Sequence, residues 1–159
     1  MLTSLQQKKL GNLFRAFDAD SNGFIERADY EALARNLGAI RGLAPDSDKF
    51  ATLEGLILQS WDELRAFADT DQDGRIGPDE WNAFHDQFLS SPDAFTIFYQ
   101  RTAGFVFALM DRDGDGKVDL NDHRDFLRAV RVEMGPWVDE NFRLADTNGD
   151  GKLDYDEVA

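Results

Sequence analysis

Residues 146–157 read DTNGDGKLDYDE, and oxygen-bearing side chains recur at regular intervals along this stretch. Asp146, Asn148 and Asp150 occupy alternate positions, counted here as 1, 3 and 5. A glycine follows at position 6, and Glu157 closes the stretch at position 12. A hard cation such as Ca²⁺ takes about six to eight oxygen ligands, and alternating side chains in a tight loop converge on one point. The spacing therefore predicts a loop that binds a hard divalent cation.

The same spacing occurs three more times along the chain. Residues 18–29 read DADSNGFIERAD, residues 69–80 read DTDQDGRIGPDE, and residues 111–122 read DRDGDGKVDLND. We number these stretches loops one to three and residues 146–157 loop four. An ordinary turn or a helix cap explains one such match, but it does not explain four complete matches.

The candidate ligands are the side chains at positions 1, 3, 5 and 12 and the backbone carbonyl at position 7. They are Asp18, Asp20, Asn22, Phe24 and Asp29 in loop one, Asp69, Asp71, Asp73, Arg75 and Glu80 in loop two, Asp111, Asp113, Asp115, Lys117 and Asp122 in loop three, and Asp146, Asn148, Asp150, Lys152 and Glu157 in loop four. Glycine at position 6 permits the backbone turn. The aliphatic residues at position 8 are predicted to form short β-bridges between paired loops; they are Ile25, Ile76, Val118 and Leu153.

The negative charge of the chain is concentrated in the four loops. The net charge is −14, and the loops hold 19 of the 31 acidic and 5 of the 17 basic residues. The remaining acidic and basic residues balance. This distribution argues against nucleic acid or an anionic membrane as a direct partner, and it favours calcium ions as the partner.

The composition limits the other classes of function. The chain has no cysteine, which excludes disulfides, thiolate metal sites and thiol catalysis. No apolar run follows Lys8 and Lys9, so we expect no signal peptide, and residues 103–110 are too few to span a bilayer. We expect a cytoplasmic monomer. A protein partner is not indicated.

Apolar residues at helical spacing flank every loop, which predicts an all-α fold of two pairs of helix–loop–helix units. The predicted pairs are residues 1–90 and 91–159. The stretch TSLQ (3–6) is typical of a capping box, Pro92 follows a candidate N-cap at Ser91, and Pro136 fits the start of a helix.

The apolar stripes of these helices are predicted to form the core. They include Leu5, Leu10, Leu13, Phe14 and Phe17 before loop one, Leu53, Leu56, Ile57, Trp61, Leu64 and Phe67 before loop two, and Trp137, Phe142 and Leu144 before loop four, with Trp81 after loop two. The run from Phe95 to Met110 is expected to be buried between the halves. His85 and His123 are interpreted as surface or hydrogen-bonded residues, and no nucleophile–base pair indicates an enzyme.

These residues resemble the EF-hand superfamily. The gaps between loops are 39, 30 and 23 residues long, and this uneven spacing resembles calerythrin, related bacterial EF-hand proteins and invertebrate sarcoplasmic calcium-binding proteins. DADSNGFIERADY (18–30) is particularly similar to the first loop of calerythrin-type proteins. The resemblance implies a compact all-α fold with Ca²⁺ in several loops. Loop two is degenerate in many of these proteins but intact here, so we predict up to four calcium ions.

The last residue of each loop suggests a difference in ion selectivity. Loops one and three end in Asp29 and Asp122, whereas loops two and four end in glutamate. The shorter aspartate gives one oxygen more easily than two, and Mg²⁺ prefers the smaller coordination shell. We therefore expect some Mg²⁺ binding at loops one and three. There Glu26 or Asp119, at position 9, offers a replacement ligand directly or through water.

The leading functional prediction is an intracellular calcium buffer or storage protein with some Mg²⁺ exchange. Calcium sensors open a groove rich in methionine, but this chain has 3 Met against 13 Phe. The alternative is a calcium-dependent regulatory sensor that binds a protein partner. A third hypothesis is a relative of the coelenterazine photoproteins, which share the uneven spacing but have a longer C-terminal segment.

Overall fold

The computed structural model describes residues 2–132 and 134–158, except for the side chains of residues 92–99. The described residues form eight α-helices and two short β-strands, which confirms the predicted all-α class. The elements are α1 (Ser4–Phe17), α2 (Arg27–Ile40), α3 (Asp48–Ala68), α4 (Pro78–Leu89), α5 (Pro92–Met110), β1 (Val118–Asp119), α6 (Leu120–Ala129), α7 (Pro136–Ala145), β2 (Lys152–Leu153) and α8 (Tyr155–Val158). No helix in this described part is long and apolar enough to cross a membrane.

The chain divides into two compact units, Met1–Pro92 and Asp93–Ala159. Each unit contains two candidate loops that pair through position 8. In the first unit, Ile25 and Ile76 exchange backbone hydrogen bonds of 2.9 Å in both directions. In the second unit, β1 and β2 pair antiparallel, with Val118 opposite Leu153. These four side chains are buried, and the predicted β-bridges are confirmed.

Local sequence signals start several helices where they were predicted. The Gln6 N–H donates to Thr3 Oγ1, and the Thr3 N–H donates in return to Gln6 Oε1, which confirms the capping box. α5 begins at Pro92, directly after Ser91, and α7 begins at Pro136. The fixed φ of proline suits the first helical position, where its missing N–H has no intrahelical partner to lose.

Aromatic rings form the core of the first unit. Phe17 stacks on Tyr30 with ring centroids 5.7 Å apart, and Tyr30 contacts Trp61 at 5.4 Å. Trp81 lies 6.1 Å from Phe17 and 4.2 Å from the ring of His85. These contacts join α1, α2, α3 and α4 around one cluster, so the core fixes the directions in which the helices enter and leave loops one and two.

The core of the second unit lies directly beneath its paired loops. Its buried side chains are Phe107, Met110, Val118, Phe142 and Leu153. Val118 and Leu153 come from the β-strands, so the strand pairing and the apolar core are continuous. The side chains of the predicted buried run at residues 95–99 lie outside the described residues.

Several apolar residues that were predicted to lie in the core are exposed. Trp61 and Trp81 are buried, but Trp137 is 42% exposed, so the prediction for Trp137 was wrong. The other exposed members of the predicted stripes are Leu5, Leu13, Leu56, Phe67 and Leu144. Periodicity identifies the apolar side of a helix, but the packing of the neighbouring helices determines how much of that side is covered.

Candidate metal centres

The carboxylate at position 1 accepts the N–H of the glycine at position 6 in every loop. The distances are 3.0 Å for Asp18 and Gly23, 3.1 Å for Asp69 and Gly74, 3.0 Å for Asp111 and Gly116, and 2.9 Å for Asp146 and Gly151. This bond closes the loop on itself. It holds the first candidate ligand at the end of its entering helix while the backbone curls around it.

A left-handed backbone at two positions gives each loop its curvature. The glycines at position 6 have φ values of 89, 87, 80 and 81° from loop one to loop four. Position 4 is also left-handed, at 60° in Ser21 and 61° in Gln72, whereas loops three and four place Gly114 and Gly149 there. Sequence reasoning missed the requirement at position 4, although these two glycines were a visible signal of it.

Side-chain oxygens at positions 3 and 5 form a repeated ladder with the backbone. The oxygen at position 3 accepts the N–H of position 5, and the oxygen at position 5 accepts the N–H of position 7, at distances between 2.8 and 3.3 Å in all four loops. Such Asx turns orient the side chains toward the inside of the loop. Asn22 and Asn148 take part in the same way as the aspartates.

Three of the loops bring carboxylate oxygens within 4.8 Å of one another. The groups are Asp18 with Asp20 and Asp29, Asp69 with Asp71 and Asp73, and Asp111 with Asp113 and Asp115. Like charges at this separation repel in the absence of a cation. In loop two, the buried Oδ1 of Asp69 has no hydrogen-bond donor among the described residues. An oxygen of this kind fits a cation ligand, since a buried anionic atom without a partner is costly.

The two glutamates at position 12 are held by several donors. Glu80 Oε1 accepts the N–H and the hydroxyl of Thr70 at 2.8 and 3.0 Å, and its Oε2 accepts the Gly77 N–H at 3.0 Å. Glu157 makes the same bonds to Thr147 and to the Asp154 N–H. Sequence reasoning missed the threonines, although a threonine stands at position 2 of both loops that end in glutamate.

Hydrogen bonding keeps both glutamates ionised. Burial raises the pKa of Glu80, but the N–H donors of Gly77 and Thr70 outweigh burial, so the net pKa is lowered. The pKa of Glu157 is lowered chiefly by the Asp154 N–H. An ionised carboxylate at position 12 is the form that binds a cation.

The two aspartates at position 12 have a different environment. Asp29 is buried and accepts the Ala19 and Glu26 N–H groups at 2.9 and 2.8 Å, yet burial still raises its pKa. Burial also raises the pKa of Asp122, whose Oδ1 lies 3.9 Å from Arg112 Nε. Ionisation of the carboxyl group at position 12 is therefore less favourable in loops one and three than in loops two and four.

Position 9 is already engaged in both of these loops. Asp119 caps α6 by accepting the Asn121 and Asp122 N–H groups at 2.7 and 2.9 Å. Glu26 accepts the Asn22 side-chain amide at 3.1 Å. The predicted use of Glu26 or Asp119 as a replacement ligand stays a prediction, and for Asp119 it competes with the helix cap.

Basic side chains at position 7 approach candidate ligands. Lys117 Nζ lies 2.5 Å from Asp150 Oδ2, and Lys152 Nζ lies 2.9 Å from Asp115 Oδ2, so each lysine crosses to the partner loop. In the first unit, Arg75 instead pairs with Asp73 of its own loop at 2.9 Å. These cations balance part of the carboxylate charge.

The family models agree with this geometry. A model of the EF-hand domain pair matches residues 100–159, and a model of the single EF hand matches residues 12–34 and 66–85. The chain belongs to the EF-hand superfamily. This EF-hand chain is accordingly a calcium-binding protein and not an enzyme.

The relatives of this chain include members of both groups that its sequence resembles. Calerythrin from Saccharopolyspora erythraea is 26% identical over 168 residues, which cover 99% of this chain and 90% of calerythrin. The sarcoplasmic calcium-binding protein alpha chain from Penaeus vannamei is 30% identical over 144 residues, which cover 86% of this chain and 72% of the relative. The resemblance to both groups is confirmed.

A solved structure has the same fold. A calcium-binding protein from Streptomyces coelicolor, whose structure is described as a basis for prokaryotic calcium-mediated regulation, is 30% identical and has a TM-score of 0.76. The match covers 95% of this chain and 91% of that protein.

Proposed function

We propose that this EF-hand protein is a cytoplasmic calcium buffer that binds one ion in each of its four loops. In this proposal, residues 1–90 form one pair of EF hands and residues 91–159 form the other. Positions 1, 3, 5 and 12 supply side-chain oxygens, and Phe24, Arg75, Lys117 and Lys152 supply backbone carbonyls. The observation that carries calcium binding in loop two is the buried Asp69 Oδ1, which a cation would satisfy. The same loop geometry in the other three supports the same role there.

The packing of the first unit supports a buffer. Trp61 and Trp81 are 2% and 4% exposed and lie in a continuous aromatic cluster with Tyr30 and Phe17. Opening such a core would expose large apolar surfaces, which is costly without an adaptable lining. In the described residues of the second unit, Met110 is buried in the core. A closed unit of this kind releases and takes up ions with little change of shape.

We further propose that loops one and three exchange Ca²⁺ for Mg²⁺ more readily than loops two and four. The support is the shorter aspartate at position 12 and the raised pKa of Asp29 and Asp122, which burial causes. Glu80 and Glu157, in contrast, are fixed by threonine and backbone donors and reach into the loop with a longer side chain.

A calcium-dependent regulator is the second candidate. Trp137 and Leu144 on α7 are 42% and 65% exposed, so both offer apolar surface on the helix that enters loop four. The Streptomyces coelicolor protein described above is named for calcium-mediated regulation. A regulator would use such side chains to contact a partner protein after calcium binding.

Calorimetric titration of the metal-free chain with Ca²⁺, repeated in the presence of Mg²⁺, tests the proposal. We expect four ions in total and a strong reduction of the apparent affinity of two sites by Mg²⁺. Fewer than four ions would contradict the stoichiometry. Binding of an apolar dye on addition of Ca²⁺ separates the two candidates, since a buffer gives a small change and a regulator a large rise. Sedimentation analysis with and without Ca²⁺ checks the proposed monomer.

A further inference from the structure

We propose that, in the second unit, the lysine at position 7 of each loop lowers the calcium affinity of the partner loop and has little effect on its own. The inference rests on the proposed binding of calcium in loops three and four. It assigns a function to Lys117 and Lys152, whose side chains the coordination scheme leaves unused.

The strand pairing places the lysines across the interface between the loops. In the antiparallel register of β1 and β2, Lys152 stands opposite Asp119 of loop three. From there its Nζ reaches Asp115 Oδ2 at 2.9 Å, and Lys117 Nζ reaches Asp150 Oδ2 at 2.5 Å in the opposite direction. Both contacts therefore follow from the pairing at position 8, and each joins the lysine at position 7 to the aspartate at position 5 of the partner loop.

Each lysine occupies an oxygen of a candidate ligand. Asp150 Oδ1 accepts the Lys152 N–H of its own loop at 2.9 Å, and Asp150 Oδ2 accepts from Lys117. Asp115 is held in the same way by the Lys117 N–H at 2.8 Å and the Lys152 ammonium. A calcium ion that binds Asp150 must share this carboxylate with an ammonium group or displace it. The two cations repel at this distance, so the lysine acts as a competing positive charge.

The first unit provides an internal comparison. Arg75, at position 7 of loop two, pairs with Asp73 of the same loop at 2.9 Å and lies over the Phe24 ring at 4.2 Å. Phe24, at position 7 of loop one, has no charge to place on loop two. The same argument thus assigns Arg75 an effect on its own loop, in contrast to the crossed effect of the lysines.

Two glycine amides report the loops separately. The Gly116 N–H donates to Asp111 Oδ2 at 3.0 Å, and the Gly151 N–H donates to Asp146 Oδ2 at 2.9 Å. An ion bound by the carboxylate at position 1 changes the environment of that amide. Nuclear magnetic resonance of the isotope-labelled full chain, in competition with a chelator of known calcium affinity, therefore gives a dissociation constant for each loop.

The experiment compares Lys117→Met and Lys152→Met with the unsubstituted chain. We expect Lys117→Met to raise the affinity of loop four, read at Gly151, by about three- to tenfold, with less than about a twofold change at Gly116. Lys152→Met should give the mirror result. Lys117→Arg keeps the charge and should raise the affinity of loop four less than Lys117→Met does. Lys8→Met, in the first unit, controls for the loss of one positive charge outside the second unit.

The outcomes separate this inference from the proposed function. If the amides of Gly116 and Gly151 in the unsubstituted chain do not respond to Ca²⁺, the proposal that loops three and four bind calcium is wrong. If they respond but Lys117→Met changes chiefly Gly116, changes both amides equally or changes neither, the crossed assignment is overturned. Raised ionic strength should reduce the effect of each substitution, because exposed charges are screened by salt.

Discussion

The indole N–H of Trp81 donates to the backbone carbonyl of Leu10 at 3.1 Å and joins residues 71 positions apart. Trp81 lies on α4, which leaves loop two, and Leu10 lies on α1, which enters loop one. The same tryptophan is 4% exposed and contacts Phe14 and Phe17. One side chain thus couples the two helix–loop–helix elements of the first unit.

Replacing this tryptophan should destabilise the first unit. Trp81→Phe removes the hydrogen bond and leaves part of the buried space empty, so we expect a loss of about 2 kcal/mol in the free energy of unfolding. Urea unfolding followed by far-ultraviolet circular dichroism measures it. Trp137→Phe is the matched control, because Trp137 is 42% exposed, and it should change stability by less than about 0.5 kcal/mol. Equal effects of the two substitutions would contradict the structural role of Trp81.

Removal of calcium should lower the melting temperature markedly. The oxygens of Asp18, Asp20 and Asp29 lie within 4.8 Å of one another, so these carboxylates repel when no cation is present. A ligand that binds only the folded chain also stabilises it by mass action. Calorimetric scans with excess Ca²⁺ and with a chelator test this expectation. An unchanged melting temperature after verified removal of the metal would contradict it.

Glu80→Gln should abolish one calcium site without unfolding the chain. The substitution removes the charge and places an amide N–H₂ where either the Thr70 or the Gly77 N–H now finds an acceptor. Asp79→Asn is the matched control, since it changes the same charge at the neighbouring position 11, which is not a candidate ligand. The measurement is the calcium stoichiometry by equilibrium dialysis. Retention of the full stoichiometry in Glu80→Gln would show that loop two was assigned wrongly.

Asp122→Glu should raise the preference of loop three for Ca²⁺ over Mg²⁺. The longer side chain reaches further into the loop and offers a second oxygen, which Ca²⁺ accommodates and Mg²⁺ does not favour. It also moves the carboxylate away from its present position 3.9 Å from Arg112 Nε. Competition titration of both ions, read at the Gly116 amide, measures the ratio of affinities. An unchanged or lower ratio would refute the argument from side-chain length.

The pKa of His85 should make the stability of the first unit depend on pH. Burial lowers the pKa of His85 below its ordinary value of 6.5, and its Nδ1 lies 2.8 Å from the Trp81 carbonyl. The unfolded chain therefore binds more protons than the folded chain between the lowered pKa and 6.5. The contribution of His85 to the free energy of unfolding should be fully present above pH 6.5, and it should be lost as the pH falls from 6.5 toward the lowered pKa.

Urea unfolding of the calcium-saturated chain between neutral and mildly acidic pH tests this dependence. His85→Leu should remove much of the dependence of the unfolding free energy on pH. His123→Gln should retain the part of this dependence that is due to His85. Superimposable pH profiles of the original chain and His85→Leu would contradict the assignment.

Much of the fold was accessible from local sequence signals. The spacing from position 1 to position 12 predicted the loops because the candidate ligands, the glycine turn and the carboxylate at position 12 all lie within one short segment. The helix starts at Pro92 and Pro136 and the capping box at Thr3 were predicted for the same reason, since they depend on neighbouring backbone groups. The β-bridge between Ile25 and Ile76 followed from equivalent positions in repeated loops.

Long-range contacts were not accessible in this way. Lys117 pairs across the interface with Asp150, whereas Arg75 stays with Asp73, although these basic residues occupy the same loop position. The exposure of Trp137 and the hydrogen bond from Trp81 to Leu10 also depend on how the helices pack against one another. A sequence pattern fixes the conformation of a segment and the chemistry that the segment can supply. The partner of each side chain is set by the packing of distant segments, because contact energies depend on three-dimensional distance and not on separation along the chain.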